Sequence, residues 1–424
     1  MRVLVVEEHP ERERFALLLL ERALAARGHE VVWTDTWHLE RDFPRVAPDL
    51  VLDNVSDSVP HFLGKWADLG PRQRNVNLIW EQFANPVNQY RFRFDEVLGS
   101  RLVDGRVAWG DAFREALLLE NPAMDPSRVR VCGSIKHASH VRLSRVPRDE
   151  VLARLDPALR RREKRVLFVD SYPAAIRDPM ADRAMVGERP LPYLYEAIHY
   201  LRDLRDPAIA LLRALAAENP DVLFVLRLHP TKLENYRAHF EDLASVPNVA
   251  IESEGDIAPL VRVSDLVIAA RSGSLVEAHL AGVPAVNLVL EHHPFRRLGL
   301  VQTVEEAFAP AVALDEGPRP SLDALTSIAR EFTVDARTRE AWTFDPSART
   351  YERLADFLEE IVAREPVRRD VPATSMLSRR ALARRARLAL RRRGVGRMPP
   401  RHAPRFDFEG LVELVERAER SAEA

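Results

Sequence analysis

Cysteine is nearly absent: Cys132 is the only one in 424 residues. A single thiol excludes an intramolecular disulfide and a thiolate zinc site, and fits a reducing compartment. Long apolar runs are missing too, and no stretch reaches the roughly 20 residues needed to cross a bilayer. The apolar run at the start, Val3 to Val6, is interrupted by Glu7 and Glu8, too soon for a secretory leader. A cytoplasmic chain is expected. Net charge is also small, -2 formally, but that total hides an imbalance. Acids are missing altogether between Val371 and Phe406, while Arg379 to Arg393 repeats arginine with alanine and leucine between.

What is present is the composition of a folded globular protein, 46% hydrophobic and 30% charged. The length exceeds one core of ordinary size and suggests two domains with additions. Apolar runs of strand length alternate with helical or irregular stretches, the pattern of a parallel α/β sheet. In the first half the runs are Val3 to Val6, Val31 to Trp33, Asp49 to Asp53, Asn75 to Trp80, Glu96 to Leu98 and Val129 to Cys132. A helix is predicted from Glu11 to Arg27, with Phe15, Leu18, Leu19 and Ala23 on one face and Gly28 ending it.

The stretch from His137 to Arg148 is polar and Arg160 to Arg165 is basic, so the inter-domain linker is expected there. A second α/β unit follows, with strands at Arg165 to Asp170, Val222 to Leu226, Asn248 to Glu252, Asp265 to Ala270 and Ala285 to Leu290. Helices are predicted over Tyr193 to Glu218, Lys232 to Leu243, Ser274 to Ala281 and from about Pro346 to Ala363. The expected division is residues 1–150 for an acceptor-side domain, 151–365 for a donor-binding domain, and 366–424 for a helical tail, basic and then acidic. Phe408 to Ala424, with Leu411, Val412, Leu414 and Val415 amid five glutamates, reads as a short amphipathic helix.

Two strands of the second half end in residues suited to an anion. The run from Val222 stops at Arg227-Leu228-His229-Pro230, and alternation places Arg227 and His229 on one side. A guanidinium offers a forked donor, and an imidazole can donate a proton to a leaving oxygen. The plain alternative is a histidine bonded to a carbonyl, with Arg227 paired to an acid such as Glu252. The run from Asp265 stops at Arg271-Ser272-Gly273-Ser274, where hydroxyls, a glycine and free amides at a helix start form an anion site. Ser274 and Glu277 also match a capping box, which would only satisfy backbone donors. On that reading Ser272 is the better phosphate ligand, and Glu277 is available to a ribose. Two strands ending this way point at one crevice outside the carboxyl edge of the sheet.

These motifs, with Glu277-Ala278 and Gly282-Val283-Pro284-Ala285-Val286 after them, resemble the nucleotide-binding domain of GT-B glycosyltransferases of bacterial surface carbohydrate biosynthesis. The nearest in style use cytidine-nucleotide donors: Kdo and sialic acid transferases and CDP-glycerol glycerophosphotransferases. The resemblance implies two Rossmann-like α/β domains facing across a cleft, and transfer of a glycosyl or glycerophosphoryl group without metal or cofactor. It carries His229, Pro230, Ser272 and Ser274 directly. His229 would contact the donor phosphate and act on the leaving group, and the serines would hold the phosphate. Weaker echoes are Trp109-Gly110, the stretch Val131 to Ser134, and Asp345 with Ser347, Ala348 and Arg349. A nucleotide-sugar 2-epimerase and a non-catalytic scaffold of the same fold are the competing readings.

A transferase also needs a base on the acceptor side. Glu81, at the end of its strand, is the first choice, ahead of Asp53 and His9. Asp170, Glu254 and Asp256 belong to the second half, where Ser253 to Asp256 forms a loop that can read base or ribose. No metal site is expected: His292 and His293 are adjacent and point apart, and His137 and His140 are read as linker residues without nearby carboxylates. The arginine run suits an anionic membrane surface, which fits a lipid-linked acceptor, or pairing with the acidic helix after Phe408. Nucleic acid is ranked below both.

Overall fold

The computed structural model describes residues 1–7, 9–35, 38–53, 73–78, 103–120, 122, 124–171, 194–230, 236–297, 304–347, 349–366 and 406–423. Of these, residues up to Ile135 and from Ala341 to Pro366 form one unit. Those from Lys136 to Glu340 and from Phe406 onward form a second.

Unit 1 is built on a six-stranded parallel sheet of order β2-β1-β3-β4-β5-β6. Its elements in chain order are β1 (Arg2–Glu7), α1 (Pro10–Ala26), β2 (Glu30–Asp35), α2 (Leu39–Val46), β3 (Leu50–Asp53), β4 (Arg74–Asn77), β5 (Gly105–Ala108), α3 (Asp111–Glu120) and β6 (Val129–Val131). The central strands β1 and β3 bury nearly every residue, as strands covered on both faces must. Gly28 closes α1 with φ 78, its amide bonded to Ala25 O. The strand β5, Gly-Arg-Val-Ala, has too short an apolar run to stand out in sequence. The strand expected at Glu96 to Leu98 lies outside the described residues.

Unit 2 opens with α4 (Ile135–Ser144) and α5 (Arg148–Leu152) and carries a second parallel sheet. Its elements are β7 (Lys164–Val169), α6 (Leu194–Glu218), β8 (Val222–Arg227), β9 (Val249–Glu252), α7 (Ile257–Val263), β10 (Leu266–Ala269), α8 (Ser274–Leu280), β11 (Ala285–Val289), α9 (Pro294–Arg297), β12 (Ala311–Ala313), α10 (Leu322–Glu331) and α11 (Ala336–Thr343). The sheet order is β12-β11-β10-β7-β8-β9. One face is covered by α6, which continues through Pro207 and buries Tyr200, Leu204, Ala208, Leu211, Leu212 and Leu215 at helical spacing against Phe168, Phe224 and Ile268.

The division between the units differs from the expected one. The polar stretch after Ile135 is the helix α4, with His137, Ala138, Ser139, His140 and Leu143 buried. Its histidines are interior residues, which is why polarity alone marked it as a linker. The helix α12 (Arg349–Ala363), expected in the second domain, belongs to unit 1. It packs there because Phe357 and Ile361 occupy the space that a side chain on Gly105 would fill, and Tyr351 donates to Ile135 O at 2.9 Å. Polar ties join it to the same unit: Arg27 to Asp356 at 2.6 Å, His29 to Glu359 at 2.7 Å, and Arg353 Nε to Cys132 O at 3.1 Å.

The helix α13 (Phe408–Glu423) has the amphipathic form the sequence predicts. Phe408, Leu411, Val412, Leu414 and Val415 are buried in unit 2, and Arg142 holds Glu419 at 2.6 Å. Arg417 pairs with Glu150. Arg379 to Arg393 lies outside the described residues. The segment predicted as a helix from Lys232 is 3₁₀ over Tyr236–Ser245, while α7, β12 and α10 were not anticipated. Among the described residues, no helix is long and apolar enough to cross a membrane.

Candidate functional site

Sheet order locates the crevice of unit 2. From β7 the chain moves outward through β8 to β9, then returns to β10 beside β7 and runs the other way through β11 to β12. The strand order therefore reverses between β7 and β10, and ligands of open α/β sheets bind outside the carboxyl ends of the strands at that point. The residues that follow there are Asp170 after β7 and Arg271, Ser272, Gly273 and Ser274 after β10, with His229 beyond β8 on the other side of β7. Two motifs far apart in sequence thus end on one edge. In unit 1 the same reversal falls between β1 and β3, whose ends lead to His9 and Asp53. Glu81 lies outside the described residues.

Asp170 organises the histidine side. It is 1% exposed, and its Oδ2 accepts from the His229 amide at 3.2 Å and from the Tyr236 hydroxyl. The backbone at His229-Pro230 is therefore fixed by a buried carboxylate at the end of the neighbouring strand β7, leaving His229 half-buried. Tyr236 and Asp170 share in the site although sequence reasoning gave neither a role there. Asp170 carried the same signal as the other strand ends, a polar residue closing an apolar run.

Arg227 was expected to face a phosphate. The structure turns its guanidinium elsewhere, and at 3% exposure it donates to Glu254 O at 2.6 Å and Gly255 O at 2.5 Å. A buried cation satisfied by carbonyls positions the loop. Glu252 secures the same loop by accepting from the amides of Ser253 and Glu254 at 2.8 and 2.9 Å. Gly255 sits at φ 73, and Phe406 packs where a side chain on it would stand. Asp256 then caps α7 by accepting from Ala258 N at 2.8 Å. Burial pushes the Asp256 carboxyl up to about 6, against the pull of the Ala258 amide and Lys136.

Arg271 carries backbone strain at the end of β10. Its φ is 47, in the left-handed region that branched and bulky side chains avoid. The conformation is held by Asn287 Oδ1, which accepts from the Arg271 amide at 3.0 Å. The guanidinium lies 5.6 Å from the ring centre of Phe295 and 6.0 Å from that of Tyr200. Next to it, Ser272 Oγ stands 3.0 Å from Ser274 Oγ and accepts from the Ser274 amide at 3.3 Å.

The capping box does not form. Gly273 is the capping residue, without a side-chain bond, and Ser274 is already helical. The Glu277 carboxylate turns instead to Lys136, whose Nζ is 2.5 Å from Oε1. His140 Nε2 is 3.6 Å from Oε2, so the histidines of α4 do have a carboxylate beside them. Burial raises the Glu277 carboxyl, but the charge and hydrogen bond of Lys136, together with His140 and His137, outweigh it and hold the group at about 2. Burial pushes His140 down to about 4 and His137 to about 3, leaving both imidazoles neutral at pH 7. Lys136 was missed because its helix was read as a linker.

His292 and His293 diverge, the first pairing with Glu316 at 3.0 Å and the second with Asp203 at 3.2 Å. Among the described residues, no group of three or more histidine, cysteine or acidic side chains is gathered to hold a metal ion.

Two parallel six-stranded sheets flanked by helices, each with its own reversal point, define the two-domain GT-B fold. Solved structures similar to the chain include enzymes with this fold. The wall teichoic acid polymerase TagF matches with a TM-score of 0.54 at 12% identity, covering 85% of this chain and 88% of that one. The UDP-GlcNAc 2-epimerase of Methanocaldococcus jannaschii, bound to UDP-GlcNAc and UDP, matches at 0.53 and 12%, covering 85% and 100%. MnaA of S. aureus with UDP matches at 0.50 and 15%, covering 86% and 98%. No family model matches the sequence, and no curated protein matches it.

Proposed function

We propose that the chain transfers a glycosyl or glycerophosphoryl group from a nucleotide-activated donor to a surface-carbohydrate acceptor. The observation that carries this reading is the reversal point of the second sheet, bounded by Asp170 on one side and by Arg271 to Ser274 on the other. Donors clustered at that edge suit a diphosphate, and GT-B neighbours that carry UDP or CDPG support the same ligand class. Ser272, Gly273 and Ser274 hold the phosphate with Arg271, while His229, placed by Asp170, donates to the departing phosphate oxygen. Pro230 keeps the backbone at His229 extended, and Arg227 serves by fixing the loop before Asp256. Glu277 belongs to the nucleotide side. Glu81 is the proposed base on the acceptor side, and no metal or cofactor takes part. The cytidine preference follows from the resemblance to cytidine-nucleotide transferases. An anionic membrane surface meeting Arg379 to Arg393 would bring a lipid-linked acceptor to an enzyme working in the cytoplasm.

The test is a thermal-shift panel of CMP, CDP, UDP and GDP, followed by transfer assays on His229→Ala and Ser272→Ala. A preferred nucleotide should raise the melting temperature, since stabilisation follows ligand concentration over dissociation constant. His229→Ala should lower turnover by about 10²–10⁴-fold, the usual worth of general acid catalysis. Binding and transfer intact in both variants would overturn the assignment. The epimerase reading has support of its own, because the M. jannaschii enzyme aligns over the same share of the chain as TagF. Incubation with UDP-N-acetylhexosamine and no acceptor separates the two, since only an epimerase turns over.

A further inference from the structure

The loop 253–256 follows β9 at the carboxyl edge of the second sheet. Arg227 holds it through the carbonyls of Glu254 and Gly255, and Glu252 through the amides of Ser253 and Glu254. A third contact comes from the residues that lead into α13. Phe406 packs its ring where a side chain on Gly255 would stand, so that a Cβ built there would lie 2.7 Å from Cδ2 and 2.9 Å from Cγ. Only glycine, here at φ 73, lets a ring come so near the backbone. The ring is itself held in place by α13. Asp407 accepts from the Gly410 amide at 2.9 Å as that helix begins, and pairs with Arg154 at 3.1 Å. Phe408 meets Phe406 edge-on with ring centres 4.9 Å apart, and is buried with Leu411, Val412, Leu414 and Val415, while Phe406 stays half-buried.

Strand spacing sets this loop at a definite distance from the phosphate end. From β10, which leads into Arg271 to Ser274, the sheet runs through β7 and β8 to β9. Three strand spacings are about 14 Å, comparable to the reach of a nucleoside diphosphate from its terminal phosphate to its base. On the other side of β10 the rings of Tyr200 and Phe295 are fully buried with the Arg271 guanidinium over them, and offer a base no comparable surface. We propose that Phe406 is a positioning residue for nucleobase recognition: by packing on Gly255 it holds the loop 253–256 in the form that meets the base, which makes α13 part of the donor site. The inference rests on the reading of this edge as the nucleotide site. Telling one base from another needs donors and acceptors that are already fixed, and a loop that must be ordered on binding gives up affinity. Without the ring, Gly255 is the residue of the loop with most freedom to regain. Phe406 acts through the loop, so its effect is confined to the base and spares the phosphates.

Calorimetry on the intact protein and on Phe406→Ala, Phe406→Leu and Phe406→Tyr, with CDP, UDP and inorganic pyrophosphate as probes, separates the base from the phosphates. Phe406→Ala should bind the preferred nucleotide about tenfold or more weakly, discriminate less between CDP and UDP, and bind pyrophosphate as wild type does. Phe406→Tyr, which keeps the ring, should restore nucleotide affinity, and Phe406→Leu, which fills part of the space, should fall between. A purely structural ring would lower the melting temperature and leave both the discrimination and the ratio of nucleotide to pyrophosphate affinity unchanged. That result overturns the proposal and leaves the nucleotide site standing. A double-mutant cycle in thermal unfolding checks the contact itself: the drop in melting temperature caused by Gly255→Ala should shrink by about half or more in the Phe406→Ala background, where the clash is gone and only the strain of φ 73 remains. Additive losses would mean that the ring does not sit on Gly255, and overturn the proposal as well. Failure of wild type to bind either nucleotide overturns the site reading, and the role of Phe406 in it.

Discussion

Replacing Asp256 with asparagine isolates the cost of burying a carboxyl in unit 2. The side chain is 3% exposed and accepts one amide bond, from Ala258. Burial pushes its pKa from the ordinary 3.8 up to about 6, with the Ala258 amide, Lys136 and Arg227 opposing and Glu277 assisting. The folded carboxyl therefore keeps a proton that the unfolded chain has already released. Its favourable contribution is complete below about pH 4 and is lost as pH rises through about 6. At about 1.36 kcal/mol per pKa unit, the loss is on the order of 3 kcal/mol. Asparagine cannot ionise and remains a good helix cap. The variant should match wild type near pH 3.5 and exceed it at pH 7.5 by up to about 3 kcal/mol, or about 6–12 °C in melting temperature for a unit of this size. Thermal unfolding of both proteins at three pH values measures the gap. If asparagine is the less stable at pH 7.5, by a margin that widens with pH, Lys136 and Arg227 more than repay burial and the reasoning fails.

Three further substitutions probe the backbone. Gly110→Ala would drive a methyl into the Ala341 carbonyl oxygen, so unit 1 should lose about 3 kcal/mol or more in denaturant unfolding. Gly282→Ala meets nothing within 4 Å and carries only the strain of φ 72, so its loss should stay near 1 kcal/mol. Equal losses for the two would contradict a steric role for the Gly110 contact. Arg271→Gly relieves the left-handed strain while losing the ring contacts of the guanidinium, so its melting temperature should stay close to wild type while nucleotide-induced stabilisation disappears. Undiminished stabilisation by nucleotide would remove Arg271 from the site.

The strands that carry unit 2 were legible because a parallel sheet covered on both faces demands continuous apolar runs. The run Val222 to Leu226 needs no context to read as buried β8. Short edge or polar strands lack that signature: β5 is Gly-Arg-Val-Ala, and β12 is three residues long. The unit boundary was misplaced for a related reason. Composition marks surface and interior only on average, and α4 buries two histidines and a serine whose polarity suggested a linker. The helix α12 is adjacent in sequence to unit 2 yet packs in unit 1, because its partners Gly105, Arg27 and Cys132 come from the first half of the chain. Such returns are invisible to a reading that proceeds along the chain.

The same distinction between local and distant information runs through the site. Ser272, Gly273 and Ser274 could be put forward from the sequence because a strand end, a flexible residue and a helix start lie together there. What Glu277 offers was not identifiable, since the capping box and the ribose contact use the same Ser-x-x-Glu string. The structure excludes the capping box: Lys136, which arrives from another helix, takes one carboxylate oxygen, and two imidazoles that burial keeps uncharged at pH 7 lie alongside. A chain with the same string but an apolar residue at position 136 would hold a protonated carboxyl there, an acceptor of different strength at the same address. A motif therefore reports which groups a strand end presents, while their charge state is set by residues the motif does not contain.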